Sequence, residues 1–190
     1  MWCSMSSAEQ AAKAEGETLA AELAFCASCL AEPAEDSLEI LREMLDWQPW
    51  LKESLNELEQ VGLAVWQGEH TRLFVMPAVA APFASVQRGG MINGEAAGMA
   101  ETFYARHGVQ FNPGLPGDYL GSLFECLAWL MASDRVREAV SFRENLLDDW
   151  LPKYAESVVE QSRLRFYRDL GRRLDEMHQS LKRIHSDERE

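Results

Sequence analysis

Apolar residues along this chain recur at spacings of three and four, the period of helices that bury one face. Leu19, Leu23, Cys26 and Leu30 form an early series of this kind. The pattern predicts helices over residues 6–32, 35–46, 50–61, 68–76, 95–106, 118–132 and 134–148. No strand-turn-strand series is found in the sequence. We therefore predict an all-α fold, a single-domain globular helical bundle of roughly eight to ten helices over residues 1–190, with about 1–5 and 186–190 frayed.

Two helical segments have distinctive apolar patterns. Residues 118–132 are apolar around most of the helix, which predicts a central buried helix. The last long segment starts near Pro152 and carries a heptad stripe, which predicts one helix packed against the core. The stripe consists of Tyr167, Leu170, Leu174, Met177, Leu181 and Ile184. A short run at residues 63–66 fits either a strand or a helical turn.

The stretch over residues 69–86 interrupts the helical pattern. Pro77 and Pro82 each lack a backbone donor and fix φ, so the chain leaves the helix and turns. Leu73 and Phe74 place apolar side chains directly before this break. Such an arrangement suits a corner of the core, and it equally suits a groove for an apolar peptide. Both interpretations remain open on the pattern alone.

Charge narrows the classes of partner. The chain carries 31 acidic and 18 basic side chains, a net charge of −13. The balance is −15 over residues 1–162 and +2 over residues 163–190. A field of this sign repels phosphate backbones, so we expect no nucleic-acid partner, and it favours cationic partners. Simple solubility is the alternative explanation for the acidic balance.

Compartment and membrane topology follow from apolar runs and cysteine content. There is no run of 18 apolar residues, and the chain start has neither a basic region nor an apolar core, so we expect no stable membrane insertion and no secretory signal. The four cysteines are too few for a disulfide scaffold in a chain of this length. These features predict a cytoplasmic protein with reduced thiols.

Few residue patterns suggest catalytic chemistry. Cys26 and Cys29 form a lone CxxC pair on a predicted helix, without a second pair at the spacing that zinc requires. Buried cysteines on a helix face are the simpler interpretation. The glycine clusters match neither a P-loop nor a dinucleotide-binding fingerprint. This lack of motifs favours a binding protein over an enzyme.

Three segments resemble the TorD/DmsD family of redox-enzyme maturation chaperones, a group with NarJ-type relatives. The first resembles the motif aromatic-x-x-Leu-Phe-x-x-Pro, followed by Pro-aromatic-x-Ser-Val; the second resembles the loop Glu-Pro-x-Asp-His-Leu-Gly and the helix after it; the third resembles the Trp-x-Pro and Phe-Tyr run near the C-terminus. In this chain they are Glu69–Pro77 with Pro82–Val86, Pro116–Gly121 with Glu125–Leu130, and Phe142–Leu147 with Trp150–Tyr154 and Phe166–Tyr167. Together the resemblance covers about residues 15–175.

This chain departs from the family motifs at four positions. His70 stands where family members usually have an aromatic residue, and Tyr119 stands where the loop histidine usually lies. Leu115 precedes Pro116 in place of glutamate, and Asn145 lies near the position of the later histidine.

The resemblance implies an all-helical fold and a function without catalysis or a cofactor of its own. Its members bind the twin-arginine leader of a molybdenum-containing oxidoreductase subunit and hold that subunit in the cytoplasm until its molybdopterin is inserted. The implied partners are this leader and catalytic subunit, and a second copy of the chain. Some members have been associated with guanine nucleotides and with domain-swapped dimers, and the sequence of this chain has no basis of its own for either. The implied leader-binding residues are His70, Leu73, Phe74, Pro77, Pro82, Phe83, Ser85, Pro116, Asp118 and Tyr119.

The residues of this chain are compatible with such binding. Leu73, Phe74 and Phe83 can form an apolar wall, and Asp118 can pair with an arginine. In the alternative interpretation, Leu73 and Phe74 belong to the core and Asp118 caps the helix that follows it.

Two alternatives from other functional classes are a winged-helix transcription regulator, with residues 55–75 as helix, turn and wing strands, and a metal or redox protein that uses Cys26 and Cys29.

Overall fold

The computed structural model describes residues 7–110 and 114–187, with side chains described over 13–110 and 114–184. Ten helices occupy this part of the chain, and it contains no strand. They are α1 (Ser7–Cys29), α2 (Ser37–Glu43), α3 (Leu51–Val61), α4 (Leu63–Phe74), α5 (Ala84–Gln87), α6 (Glu95–His107), α7 (Leu120–Ala132), α8 (Val136–Leu146), α9 (Leu151–Gln161) and α10 (Arg165–Asp187). The predicted all-α fold class is confirmed.

Helix α7 lies at the centre of the bundle and packs along α1. Leu120, Leu123, Phe124 and Leu127 have no exposed surface, and only three residues of the helix, Glu125, Trp129 and Ala132, are exposed. The predicted central buried helix is confirmed. Its burial places the loop that precedes it, with Asp118 and Tyr119, against the interior of the bundle.

Helices α9 and α10 form the second large packing unit. The heptad stripe of α10 is confirmed, because its members from Tyr167 to Leu181 are buried. The two helices approach closely at Gly171, where an added Cβ would lie 2.9 Å from the carbonyl oxygen of Ala155. The single helix predicted from near Pro152 is wrong, because Ser162 has extended dihedrals and separates α9 from α10.

The region from α3 to α5 differs from its predicted boundaries. Residues 63–66 form the first turn of α4, after Gly62 ends α3 with a φ of 79°. The winged-helix alternative is therefore wrong, because residues 63–74 are helical and leave no chain for wing strands. Helix α4 ends at Phe74, two residues earlier than predicted, because Val75 is extended before Met76 and Pro77.

The predicted fraying of residues 1–5 and 186–190 falls outside the described residues, except that 186 and 187 belong to the backbone of α10. Among the described helices, none is both long enough and apolar enough to span a membrane.

Candidate functional site

Two of the three family-like segments meet at the C-terminal end of α1. The Leu30 carbonyl, just past the last residue of α1, lacks a helical partner. It accepts hydrogen bonds from His70 Nε2 and from Tyr119 Oη, each at 3.0 Å. One acceptor thus joins α4, which carries the first segment, to the loop before α7, which carries the second.

An isolated antiparallel bridge also connects these two segments. Its backbone hydrogen bonds run from the Ala84 amide to the Asp118 carbonyl at 3.1 Å and from the Leu120 amide to the Pro82 carbonyl at 2.8 Å. Phe83 and Tyr119 are the paired residues, and their ring centroids are 5.7 Å apart. The bridge fixes the position of Asp118 relative to α5.

Asp118 is completely buried and caps α5. Its Oδ2 accepts a hydrogen bond of 2.6 Å from the amide of Ser85, in the first turn of α5. The alternative in which Asp118 caps the helix that follows it is wrong, because Tyr119 occupies the N-cap position of α7 and makes no side-chain cap there. Asp118 Oδ1 and Ser85 Oγ are buried and have no hydrogen-bond partner among the described residues.

The apolar residues of the first segment are part of the core. Leu73 is fully buried, and Phe74 packs edge-on against Tyr167 of the third segment at 5.2 Å. Pro82 and Phe83 are also buried. Among the ten predicted leader-binding residues, only Pro77, Pro116 and Tyr119 keep substantial exposed surface in this conformation.

An exposed apolar rim, of which sequence analysis identified only Pro77, borders this buried cluster. It consists of Val75, Met76, Pro77 and Val79, and the three residues other than proline are each nearly half exposed. The amides of Val79 and Ala80 bond back to the end of α4 and hold the rim beside Leu73. A signal was present in the sequence, since apolar residues fill the variable positions 75 and 76 of the first motif and position 79 just after its proline.

A buried ion pair fixes α4 against the break between α9 and α10. Arg72 donates two hydrogen bonds to Glu69, of 2.8 and 2.7 Å, and a further bond to the carbonyl of Gln161. Glu69 also accepts the amide of Arg163 at 2.6 Å. Burial acts to raise the pKa of Glu69, but the bonds from Arg72 and Arg163 outweigh it and lower the pKa. Sequence analysis assigned no role to this pair.

His70 is held in its neutral form. Burial lowers its pKa, against smaller opposing effects of the Leu30 carbonyl and Glu32. Because the carbonyl can only accept, Nε2 carries the proton. The other ring nitrogen, Nδ1, is buried and lacks a partner in the described part of the chain.

The buried cysteines are poor candidates for metal or redox chemistry. Burial raises the pKa of the Cys26 thiol to about 12 and that of Cys29 well above its usual value. The thiolate is the form that binds metals and attacks disulfides, and little of it exists here at neutral pH. Within residues 7–110 and 114–187, no group of three or more metal-ligating side chains is found.

Comparison with known proteins places the chain in a family. A family model described as nitrate reductase delta subunit matches residues 27–160, which span all three segments up to α9. Two TorD chaperone proteins from Vibrio vulnificus, of strains YJ016 and CMCP6, are each 30% identical to this chain over 103 residues. That match spans 46% of this chain and only 48% of the length of either relative.

A solved structure shares the fold. The crystal structure is of a protein from Archaeoglobus fulgidus that is named for redox enzyme maturation, and it superposes with a TM-score of 0.64 at 23% identity. The match covers 85% of this chain and 93% of the other. The extent of the family match, together with the three ordered motifs, shows that this chain belongs to the nitrate reductase delta subunit family, the TorD/NarJ group of redox-enzyme maturation chaperones.

Proposed function

We propose that this protein is a cytoplasmic chaperone, without catalytic activity, for the catalytic subunit of a molybdoenzyme. It binds the twin-arginine leader of that subunit and retains the subunit until molybdopterin has been inserted. The observation that carries this proposal is that the first two family motifs meet at one carbonyl at the end of α1. The negative balance of residues 1–162 supports it, because a cationic leader is drawn towards such a surface.

The apolar part of the leader binds the rim formed by Val75, Met76, Pro77 and Val79. An apolar peptide that covers these exposed side chains removes apolar surface from water, which favours binding. Leu73 and Phe74 are buried and cannot contact a peptide unless the core opens. In this arrangement Leu73, Phe74, Pro82 and Phe83 support the rim from below, and the buried His70 and Ser85 help to fix its position. Pro116 and Tyr119 keep exposed surface beside the bridge between Tyr119 and Phe83, and in this proposal they contact the leader there.

The arginines of the leader meet two sets of carboxylates. Glu32, Glu35 and Asp36 are exposed on the loop after α1, and α4 contacts this loop through a hydrogen bond from Gln67 to the Pro33 carbonyl. Deeper in the protein, Asp118 Oδ1 has an unused acceptor site. Because Asp118 has no exposed surface, a guanidinium reaches it only after the surrounding loops open.

Titration with leader peptides tests the proposal directly. Leaders of the molybdoenzymes encoded in the same genome are added to micromolar protein at low salt. We expect at least one to bind, and to bind more weakly when glutamines replace its two arginines. Failure of every leader to bind would rule out the proposed function.

Asp118 has a specific prediction within this proposal. Because lysine at a fully buried position would unfold the protein, Asp118→Asn is the informative substitution. It retains an oxygen to accept the Ser85 amide but removes the charge. We expect roughly tenfold weaker leader binding in a folded protein, measured by titration calorimetry. Unchanged affinity would leave capping of α5 as the only role of Asp118.

A further inference from the structure

A second surface, lined by none of the residues that meet at Leu30, has the form of a binding groove. It lies between α6 and α8, has a volume of about 760 Å³, and includes the apolar residues Met99, Phe103, Phe142 and Leu146. The two helices touch where the rings of Phe103 and Phe142 approach to 4.6 Å. This volume is in the range of ligand-binding clefts in proteins.

Small residues keep the groove open along α6. Gly98 lines it, and an added Cβ at this position would meet nothing within 4 Å. Thr102 and Ser141 are the other short side chains of the lining. The lining of α6 runs from Glu95 to His107, which at the helical rise is about 18 Å, or roughly three turns of a helix lying alongside.

One end of the groove is positively charged in an otherwise acidic protein. Arg106 and Arg137 line this end, are exposed, and form no hydrogen bond or ion pair that involves a described residue. Glu138 does not neutralise them, because it pairs with Arg135 at 3.1 Å. Arg135 also donates a hydrogen bond to His107 and lies 4.9 Å from the centre of the Trp129 ring.

We propose that this groove binds an amphipathic helix of about three turns from a partner protein, with acidic side chains at one end. Its apolar residues contact Met99 and Phe103, and its carboxylates pair with Arg106 and Arg137. The charge complementarity identifies the partner segment as acidic. A cationic leader does not fit here, since the two arginines repel it, so this surface is separate from the one proposed for leader binding.

A designed peptide pair tests the groove. The probe is a fluorescein-labelled 14-residue helical peptide with leucines on one face and two glutamates in its first turn; in the control peptide, lysines replace the glutamates. We expect the acidic peptide to bind about tenfold more tightly than the control at low salt, measured by fluorescence anisotropy. Equal affinities, or no binding of the acidic peptide, would overturn the proposal.

Variants of the protein locate the binding. Arg106→Glu with Arg137→Glu should abolish the preference for the acidic peptide. Lys52→Glu with Lys153→Glu changes the net charge equally at exposed sites on α3 and α9 and should preserve most of the preference. Gly98→Leu adds an apolar side chain to the groove at a position where a new Cβ meets nothing within 4 Å, and should weaken binding of both peptides about tenfold. If both double charge variants lost the preference for the acidic peptide equally, or if Gly98→Leu bound the peptides as the wild type does, the peptide would not bind in this groove.

Circular dichroism of each variant should give the helical spectrum of the wild type and so show that the variant is folded. Titration with a twin-arginine leader separates this inference from the proposed function, since the Arg106→Glu, Arg137→Glu variant should still bind the leader. Sedimentation tests the other occupant of the groove. A dimer that Gly98→Leu abolishes, without any binding of the acidic peptide, would assign the groove to a second copy of the chain and overturn the proposal.

Discussion

At the scale of single residues, polar groups in the core define the site. His70, Asp118 and Ser85 are each less than a tenth exposed, and each has one buried side-chain atom without a hydrogen-bond partner among the described residues. An unsatisfied buried polar atom costs free energy, so His70 Nδ1, Asp118 Oδ1 and Ser85 Oγ are expensive to maintain. A hydrogen bond from a polar ligand to one of these atoms therefore contributes more binding free energy than a bond to an atom that already has a partner.

The lowered pKa of His70 predicts a pH dependence of stability. The folded protein resists protonation of His70, whereas the unfolded chain takes up a proton near pH 6.5. The contribution of His70 to the free energy of unfolding is therefore complete above pH 6.5 and decreases as the pH falls towards the lower pKa of the folded state. Denaturant unfolding of wild-type protein and His70→Gln should diverge between about pH 7.5 and 5.

Glutamine is the suitable replacement, because its amide nitrogen can donate to the Leu30 carbonyl but does not titrate. We expect the wild type to lose more stability on acidification than the variant does. Parallel profiles for the two proteins would show that His70 does not contribute to the pH dependence.

At the scale of elements, helix packing was more predictable than helix ends. The stripe of α10 and the broad apolar surface of α7 determine which faces are buried, and both are visible in the sequence. The break at Ser162 was not predictable, because neither proline nor glycine marks it. Long-range hydrogen bonds hold this break in place: Glu69 accepts the Arg163 amide and Glu57 accepts the Arg165 amide, across separations of 94 and 108 residues.

Because α9 and α10 pack closely at Gly171, we expect any larger residue at this position to destabilise the folded protein. In Gly171→Ala the new methyl group would lie 2.8 Å from Val159 Cγ2 and 2.9 Å from the Ala155 carbonyl oxygen, so the two helices must separate. We expect the free energy of unfolding to fall by about 1–3 kcal/mol. The matched control is Gly98→Ala, where the space is open and alanine should stabilise α6 by up to about 1 kcal/mol. Equal effects in urea unfolding would contradict this packing.

The candidate site was partly predictable at this scale. The motif similarity identified the segments that meet at Leu30, since residues distant in sequence recur at the spacings of the family motifs. It did not distinguish buried from exposed members, because the periodicity of α4 ends at the bend. Leu73 and Phe74 lie inside that bend, and Val75 and Val79 lie on its surface. Only the path of the chain after Phe74 determines this difference.

At the scale of the whole molecule, the two proposed binding surfaces differ in charge. The excess of carboxylates lies in residues 1–162, while many arginines of α10 are already paired with acidic neighbours such as Asp169, Glu22 and Glu176. The groove between α6 and α8 has a positive end within this acidic surface. The two proposed binding surfaces therefore select partners of opposite charge.

This difference in charge predicts that the two surfaces bind partners of opposite charge, and that added salt weakens both interactions. Raising ionic strength from about 0.01 to 0.15 M shortens the screening length from about 30 to 8 Å. We expect the association rate of a twin-arginine leader to fall several-fold over this range, measured by stopped-flow fluorescence. A leader with glutamines in place of its arginines should change much less. A rate that is independent of salt for both peptides would show that the acidic field does not steer the leader.

Two carboxylates on α3 and α4 that accept backbone amides at the break before α10 also affect how the protein folds during synthesis. Glu57 and Glu69 leave the ribosome long before residues 163 and 165, whose amides they accept. Until then α4 lacks the segment against which its ion pair packs, and the stripe of α10 is missing from the core. We expect nascent chains that end before α10 to remain protease-sensitive, so that native structure forms only when synthesis is nearly complete.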